Sequence, residues 1–425
     1  MMRVYKYPAA SRWPSILQRP AQRAGNVQQT VATILDEVKT NGDKALQVYA
    51  RKLDKWEGGK LEISAKEIQA AAKQLSPALR KAIKTAAANI TRFHEAQQLR
   101  TEIIETQPGI RCWRKRVAIE RVGLYIPGGS APLFSTVLML GIPARIAGCE
   151  EIILCTPPNA DGTVHPAILF AAQCCGITRI FRIGGAQAIA AMAYGTKSVP
   201  RVFKIFGPGN QYVTAAKQQL QQVAAIDMPA GPSEVLVIAD ETANAAFVAA
   251  DLLSQAEHGP DSQVVLVTTT EQLIGKVKEE LAIQLQQLER RDITREALKQ
   301  SRLVLVKTLD EAMALSNYYA PEHLILACDK ATTFANKVKS AGSVFIGHYS
   351  PESVGDYASG TNHTLPTSGY AAMYSGVSVE SFCKTISFQQ LSRKGLEGIA
   401  GTVMTMAEGE GLQAHKEAVA IRLNR

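Results

Sequence analysis

From residue 119 onward, short apolar runs alternate with helix-patterned segments, and this rhythm restricts the fold more than any other feature of the chain. Val122–Ile126 reads as a strand closed by Pro127-Gly128-Gly129, and Glu151–Cys155 as a second closed by Thr156-Pro157-Pro158. Ile177–Ile183 is a third, after which Gly184-Gly185 opens an alanine-rich helix. Val202–Phe206 is a fourth, followed by Gly207-Pro208-Gly209-Asn210 and another helix. The rhythm repeats in Glu234–Ile238, Gln263–Val267, Leu303–Val306, His323–Leu326 and Ser343–Ile346. Strands without a polar face, separated by helices, form parallel sheets covered on both sides. The expected class is therefore α/β, with two Rossmann-like parallel-sheet domains of the kind a duplication produces, although no internal sequence repeat proves one. A chain of 425 residues is also too long for a single core.

The flanks read differently. Residues 27–106 are expected to be helical: Val31, Ile34, Leu35 and Val38 recur at helical spacing, as do Ile68, Ala71, Ala72 and Leu75. Gly42-Asp43 and Ser64-Ala65 are the expected helix boundaries. Residues 348–378, rich in Gly, Ser and Tyr, read as a long loop, and such a loop inside a compact domain is usually functional. From about 386 the pattern is expected to be helical to the end.

The net charge of +9 allows a nucleic-acid or anionic-ligand reading. Lys and Arg are interleaved with Asp and Glu, however, and no basic helix carries aromatic steps. A mildly basic, dinucleotide-binding enzyme fits better than a nucleic-acid partner. Cys112, Cys149, Cys155, Cys174, Cys175, Cys328 and Cys383 are odd in number and contain no CxxC pair, which argues against a disulfide framework. No apolar run is long enough for a transmembrane helix. The N-terminus lacks an apolar signal core; it is basic with no acid before Asp36, a weak transit-peptide trait. The expected location is the cytoplasm.

Four groups of residues can carry chemistry. Gln255 and His258 lie three apart at a helix end stopped by Gly259-Pro260, so they share a face. They can hold a divalent metal, or His258 can merely favour the helix dipole while Gln255 is solvated. Glu322-His323 places a carboxylate beside an imidazole, a natural acid–base pair, or else a surface Glu and a satisfied core His. Adjacent strand residues point to opposite faces, so both reach one site only if the pair sits on the loop before the strand, as Pro321 permits. Asp356 is an oxygen ligand or a helix cap. Glu410 and His415, five apart, do not share a helix face well. Finally, Gly184-Gly185-Ala186-Gln187 and Gly207–Asn210 open helices after strands, as pyrophosphate sites do. No GxGxxG appears, so a degenerate nucleotide site and a tight packing turn both remain open readings.

Together these pieces resemble one family. Ile226–Asp240, Asp251–Asp261, Gly123–Gly129, Lys204–Asn210, Pro321–His323 and Gly355–His363 are similar to the signature strings of the histidinol dehydrogenases, in the same order and almost end to end. The resemblance implies oxidation of L-histidinol to L-histidine through L-histidinaldehyde, with NAD and one zinc ion per subunit. It implies Gln255, His258, Asp356 and His415 as zinc ligands and Glu322 and His323 as the acid–base pair. It further implies Ser233, Gln255, His258, His323, Asp356, Glu410 and His415 as substrate contacts, and Tyr125, Gln187 and Asn210 as NAD contacts. A homodimer is implied, with the C-terminal tail crossing to the partner's site. Because the resemblance begins near the N-terminus, little room is left for a transit peptide, and the cytoplasmic reading stands. Thr367–Tyr374 departs from the family and is expected to alter the mouth of the site.

The expected organisation is an N-terminal extension over 1–26, a catalytic domain from 27–118 with 234–378, an NAD-binding domain over 119–233, and a helical tail over 379–425. Two other readings compete: a zinc alcohol dehydrogenase of the same fold acting on another small alcohol, and a metal- and nucleotide-binding module without chemistry.

Overall fold

The structure is a computed structural model and describes residues 2–20, 26–98, 101–128, 132–229 and 231–424. Gly129 and Ala230, which belong to the strings above, lie outside the described residues.

Two parallel sheets dominate. The first has five strands in the order Arg179–Arg182, Glu151–Thr156, Arg121–Tyr125, Lys204–Phe206 and Ala225–Ile226. The second has six, in the order Arg3–Lys6, Arg302–Leu305, Gln263–Thr268, Glu234–Ala239, His323–Ala327 and Ser343–Ile346. Without Arg3–Lys6 both sheets run third, second, first, fourth, fifth in chain order, so the repeat absent from the sequence is present in the topology. In such sheets the strand order reverses beside the first strand, and the crevice opened there is the usual ligand site. The reversal falls between Arg121–Tyr125 and Lys204–Phe206 in the first sheet, and between Glu234–Ala239 and His323–Ala327 in the second. Every residue of Glu234–Ala239 and Gln263–Thr268 is buried, as their unbroken apolar runs require.

The helices of 27–95 depart from the expected partition. Val27–Asn41 and Asp43–Leu53 set Val31, Ile34, Leu35, Val38 and Leu46 against Ile153, Phe181 and Ile189 on one face of the first sheet. Ala65–Ala71 and Pro77–Glu95 set Ile68, Ile83 and Ile90 against Val122, Leu124 and Leu138 on the other. These helices therefore cover the first sheet, and of them only Pro77–Glu95 bonds to 234–378 among the described residues, where Asn89 Nδ2 donates to the Ala358 carbonyl at 2.9 Å. Their periodicity shows an apolar stripe, but not which sheet fills it. The boundaries fall as expected: Gly42, at φ 51°, separates the first two helices, and Ser64 begins the third with a capping box to Glu67.

Three further expectations change. Ile103–Gln107, Ile110–Ala118 and Cys383–Leu391 form an antiparallel sheet where helix was expected at 103–106 and after 386. Trp113 stacks on Phe388 across it with ring centroids 5.4 Å apart. The segment 348–378 is not wholly loop, since Glu352–Tyr357 is helical. The first 26 residues are not a mere extension: Arg3–Lys6 is a sheet strand, and Ile16 and Leu17 enter the second sheet's core. Among the described residues no helix is long and apolar enough to cross a membrane.

The helix Ala245–Ala256 carries Asp251 in a half-buried setting with no cation acting on it among the described residues, and burial pushes its carboxyl up to about 7. The folded protein thus favours the neutral form. Stability is lost as pH rises from the unfolded value of 3.8 through about 7, and the penalty is complete above that. The gap sets a ceiling of about 4 kcal/mol. Asp251→Asn is therefore expected to raise the melting temperature at pH 8 and to leave it nearly unchanged at pH 4. Equal shifts at both pH values, measured by calorimetry, would refute this.

Candidate active site

The second sheet's reversal point holds Glu322 and His323. His323 begins its strand and is 3% exposed; Glu322, just before it, is 7% exposed. The requirement that both reach one site is met, and Glu234 on the neighbouring strand is the reason. Its backbone N–H donates to Glu322 Oε2 at 2.8 Å, and its carbonyl lies 3.2 Å from His323 Nδ1. Glu322 Oε2 is then 3.6 Å from His323 Nδ1. Glu234 is itself fixed: Arg19 donates to both its carboxylate oxygens at 2.5 and 2.9 Å and to the Tyr319 carbonyl at 2.7 Å. The N-terminal segment thus reaches the acid–base pair through one bidentate contact.

Gln255, in the last turn of its helix, places Nε2 2.9 Å from His323 Nδ1. Asp356 approaches from the opposite side, with Oδ1 3.4 Å from His323 Nε2. Burial opposes a charge on His323, but the carboxylates of Glu322 and Asp356 outweigh it and hold its pKa well above the ordinary value. Burial raises Glu322, only partly offset by His323 and the Glu234 N–H. Burial also acts on Asp356, but the nearby His323 prevails and lowers it. His363, on the strand side of the same loop, faces the Asp356 carbonyl through Nδ1 at 2.8 Å and Thr136 Oγ1 through Nε2 at 3.1 Å. Thr136 belongs to the helix Phe134–Ala147 that follows the first strand of the other sheet. His363 therefore ties the two sheet units together at the site.

Three atoms here are buried without a hydrogen-bond partner: Gln255 Oε1, His323 Nε2 and Asp356 Oδ1. Buried polar atoms are nearly always satisfied, so such a group points to a missing ligand. His258, exposed at the rim, presents a ring nitrogen that lies within 4.8 Å of oxygens of Asp356 and Glu352. An imidazole, carboxylates and an amide oxygen suit a borderline divalent cation such as zinc, so these residues fit the implied metal. Sequence reading missed Glu352. Its spacing of four from Asp356 is the signal that a loop assignment hid. His363 was quoted only as part of a string.

The remaining expected residues divide. Ser233 immediately precedes Glu234, half-buried beside the pair. Glu410 and His415 are exposed on the tail and make no side-chain hydrogen bond within the chain among the described residues, so one chain does not bring them to the site. The departing stretch lies close to the pair: Gly231 N–H donates to Thr367 Oγ1, and Ser368 N–H donates to Glu234 at 2.9 Å.

Tyr125, Gln187 and Asn210 meet at the first sheet's reversal point, in a cavity of about 970 Å³ that Asp54 and Gly185 also line. Tyr125 Oη accepts the Gly185 N–H at 3.0 Å at the opening of the helix Gly185–Tyr194. Gln187, 1% exposed, leaves Oε1 unpartnered. Asn210 caps its helix by accepting from the N–H groups of Tyr212 and Val213 at 3.0 and 3.2 Å. Gly207, at φ 123°, admits no side chain, because a Cβ would fall 2.0 Å from the Tyr125 carbonyl. Buried Lys217 donates to the Gly207 carbonyl at 2.9 Å and pairs with Asp227, whose other oxygen accepts the Gly207 N–H at 2.8 Å. Two helix N-termini and a free amide at a reversal point form a nucleotide-type crevice.

Residues 17–423 match the family model described as histidinol dehydrogenase. The chain belongs to the histidinol dehydrogenase family, and so to the oxidoreductases. A histidinol dehydrogenase of Bacteroides thetaiotaomicron is 56% identical over 426 residues, covering 100% of this chain and 99% of that protein. One from Xylella fastidiosa is 56% identical over 410 residues, covering 96% of this chain and 95% of that protein. The crystal structure of histidinol dehydrogenase from Elizabethkingia anophelis superposes with a TM-score of 0.98 at 54% identity, covering 100% of this chain and 98% of that one.

Proposed function

We propose that this histidinol dehydrogenase family member oxidises L-histidinol to L-histidine through L-histidinaldehyde, reducing two NAD and using one zinc ion per subunit. Gln255 Oε1, His323 Nε2 and Asp356 Oδ1, three buried atoms without a hydrogen-bond partner on residues that meet at His323, carry this reading. Gln255, His258 and Asp356, with His415 of the partner subunit, would hold the metal, which when bound would fix the substrate's imidazole and amine and orient its carbinol carbon. Ser233 and Glu410 would contact the same substrate. NAD would occupy the cavity of Tyr125, Gln187 and Asn210.

His323, once it has released its own proton, takes the alcohol proton at Nε2 while hydride leaves for NAD. The flanking carboxylates stabilise the imidazolium that results, and the Glu234 carbonyl orients the ring. The aldehyde must add water before a second hydride can leave. Glu322, whose pKa burial raises above the ordinary carboxylate value, activates that water. Addition of one water and loss of two hydrides and three protons convert CH2OH to carboxylate. Among the described residues no cysteine joins the metal-type cluster, so a thioester route has no nucleophile there.

Dimerisation belongs to the same proposal. The tail helices Arg393–Gly409 and Gln413–Ala420 bury little besides small residues. Met406, Leu412 and Ile421 stay 62, 42 and 72% exposed, which supports docking on a second copy. Seven free cysteines support a reducing, cytoplasmic setting.

Stoichiometry is the test. Limiting histidinol is expected to yield about two NADH per molecule, because each NAD accepts one hydride. One NADH with aldehyde accumulating would favour the simple alcohol dehydrogenase, and none would favour a binding module.

A further inference from the structure

Glu352 is the acid at this site that neither the proton transfers nor the nucleotide cavity use. It opens the helix Glu352–Tyr357 one turn ahead of Asp356, so the two carboxylates share a face. It is 1% exposed. Its side chain accepts one hydrogen bond among the described residues, from Ser254 Oγ at 3.1 Å, and the His323 ring, rather than a lysine or arginine, is the positive charge acting on it. A carboxylate so enclosed is costly unless a cation joins it.

Its neighbours supply what a cation needs. Glu352, Asp356 and His258 each present one ligand atom, all within 4.8 Å of one another. Gln255, 1% exposed, has an unpartnered Oε1 one residue beyond the Ser254 that holds Glu352. All four side chains come from a single chain. His415, exposed on its own tail, is not among them.

We propose that Glu352 is a metal ligand of the unassembled chain, so that Gln255, His258, Glu352 and Asp356 capture the divalent cation within one subunit before the tail of a second copy delivers its His415. This rests on the metal reading given above. Two carboxylates, an imidazole and an amide oxygen form a complete four-donor set. When the partner subunit's His415 docks, its imidazole replaces the Glu352 carboxylate, which keeps its hydrogen bond to Ser254. Metal loading then does not wait for the dimer.

The experiment measures zinc binding to the metal-stripped full-length protein by competition with a chromophoric chelator, without reference to turnover. The wild type should bind about one zinc per chain. His415→Ala should still bind one, about 10- to 100-fold more weakly. Glu352→Gln added to His415→Ala should weaken binding by about a further 10- to 100-fold, and Glu352→Asp in the same background should recover part of it. Cobalt bound to His415→Ala should change its visible spectrum when Glu352→Gln is added. Thermal melts of the metal-free variants separate ligand loss from misfolding. If Glu352→Gln has no effect in the His415→Ala background, Glu352 is not a ligand. If His415→Ala binds no zinc, capture within one chain is wrong. A wild type that binds none overturns the metal reading itself.

Discussion

His323→Ala is expected to lower histidinol turnover by about 100- to 10,000-fold, the usual contribution of a positioned acid–base group. The ring sits between Glu322 and Asp356, with Nε2 lacking a hydrogen-bond partner. Glu322→Gln should behave differently. Its carboxylate is anchored by the Glu234 N–H, which the amide oxygen of glutamine can still accept, so the local backbone is preserved. Oxidation of supplied histidinaldehyde should fall by about the same range, while the first oxidation falls much less, because water activation lies only in the second half. Stopped-flow NADH formation with each substrate separates the two halves. Equal losses in both halves for both variants would show that the division of roles is wrong.

Mixed dimers offer the second large effect. Homodimers of His323→Ala and of His415→Ala should each be nearly inactive. If tails are exchanged, a mixed dimer has one site with an intact body and an intact tail, while the other site collects both defects. About half of wild-type activity per mixed dimer should return. If each tail serves its own chain, every site carries one defect. Co-expression with two affinity tags isolates the mixed species, and its lack of activity would place His415 with the His323 of its own chain.

The nine strands that form the crevices of both sheets were legible in the sequence because each is a short apolar run bounded by turn residues. Buried parallel strands carry that signal in one dimension. The strands that escaped are largely exposed or, like the two-residue Ala225–Ile226, too short to show a pattern. Ile103–Gln107 is exposed throughout, and Cys383–Leu391 nearly so. Arg3–Lys6 is a four-residue edge strand. Their order comes from pairing with distant partners, which local composition does not record. The helices of 27–95 were recognisable, but their sheet was not, since an amphipathic stripe carries no address. At the site, Gln255, His258, Glu322, His323 and Asp356 were singled out one by one and lie together. Glu352 escaped because a one-turn helix in a Gly- and Ser-rich stretch resembles a loop. The role of Glu234 acts through its backbone N–H and carbonyl, which every residue type possesses, so no sequence pattern marks it.

The edge strand Arg3–Lys6 gives the chain a timetable. It is made well before its partner Arg302–Leu305, which follows roughly 300 residues later. At about 5–20 residues per second of synthesis, the wait is about 15–60 s. During that interval the first sheet and its covering helices can close, since their strands all lie between residues 121 and 226. The second sheet stays unfinished, and the N-terminal residues stay without their partner. The first sheet's crevice can therefore close on the growing chain, whereas the second sheet waits for Arg302–Leu305 to pair with Arg3–Lys6 and for His323–Ala327 and Ser343–Ile346 to follow. A bulky fusion ahead of Arg3–Lys6 should hinder that pairing and leave the first sheet's crevice intact.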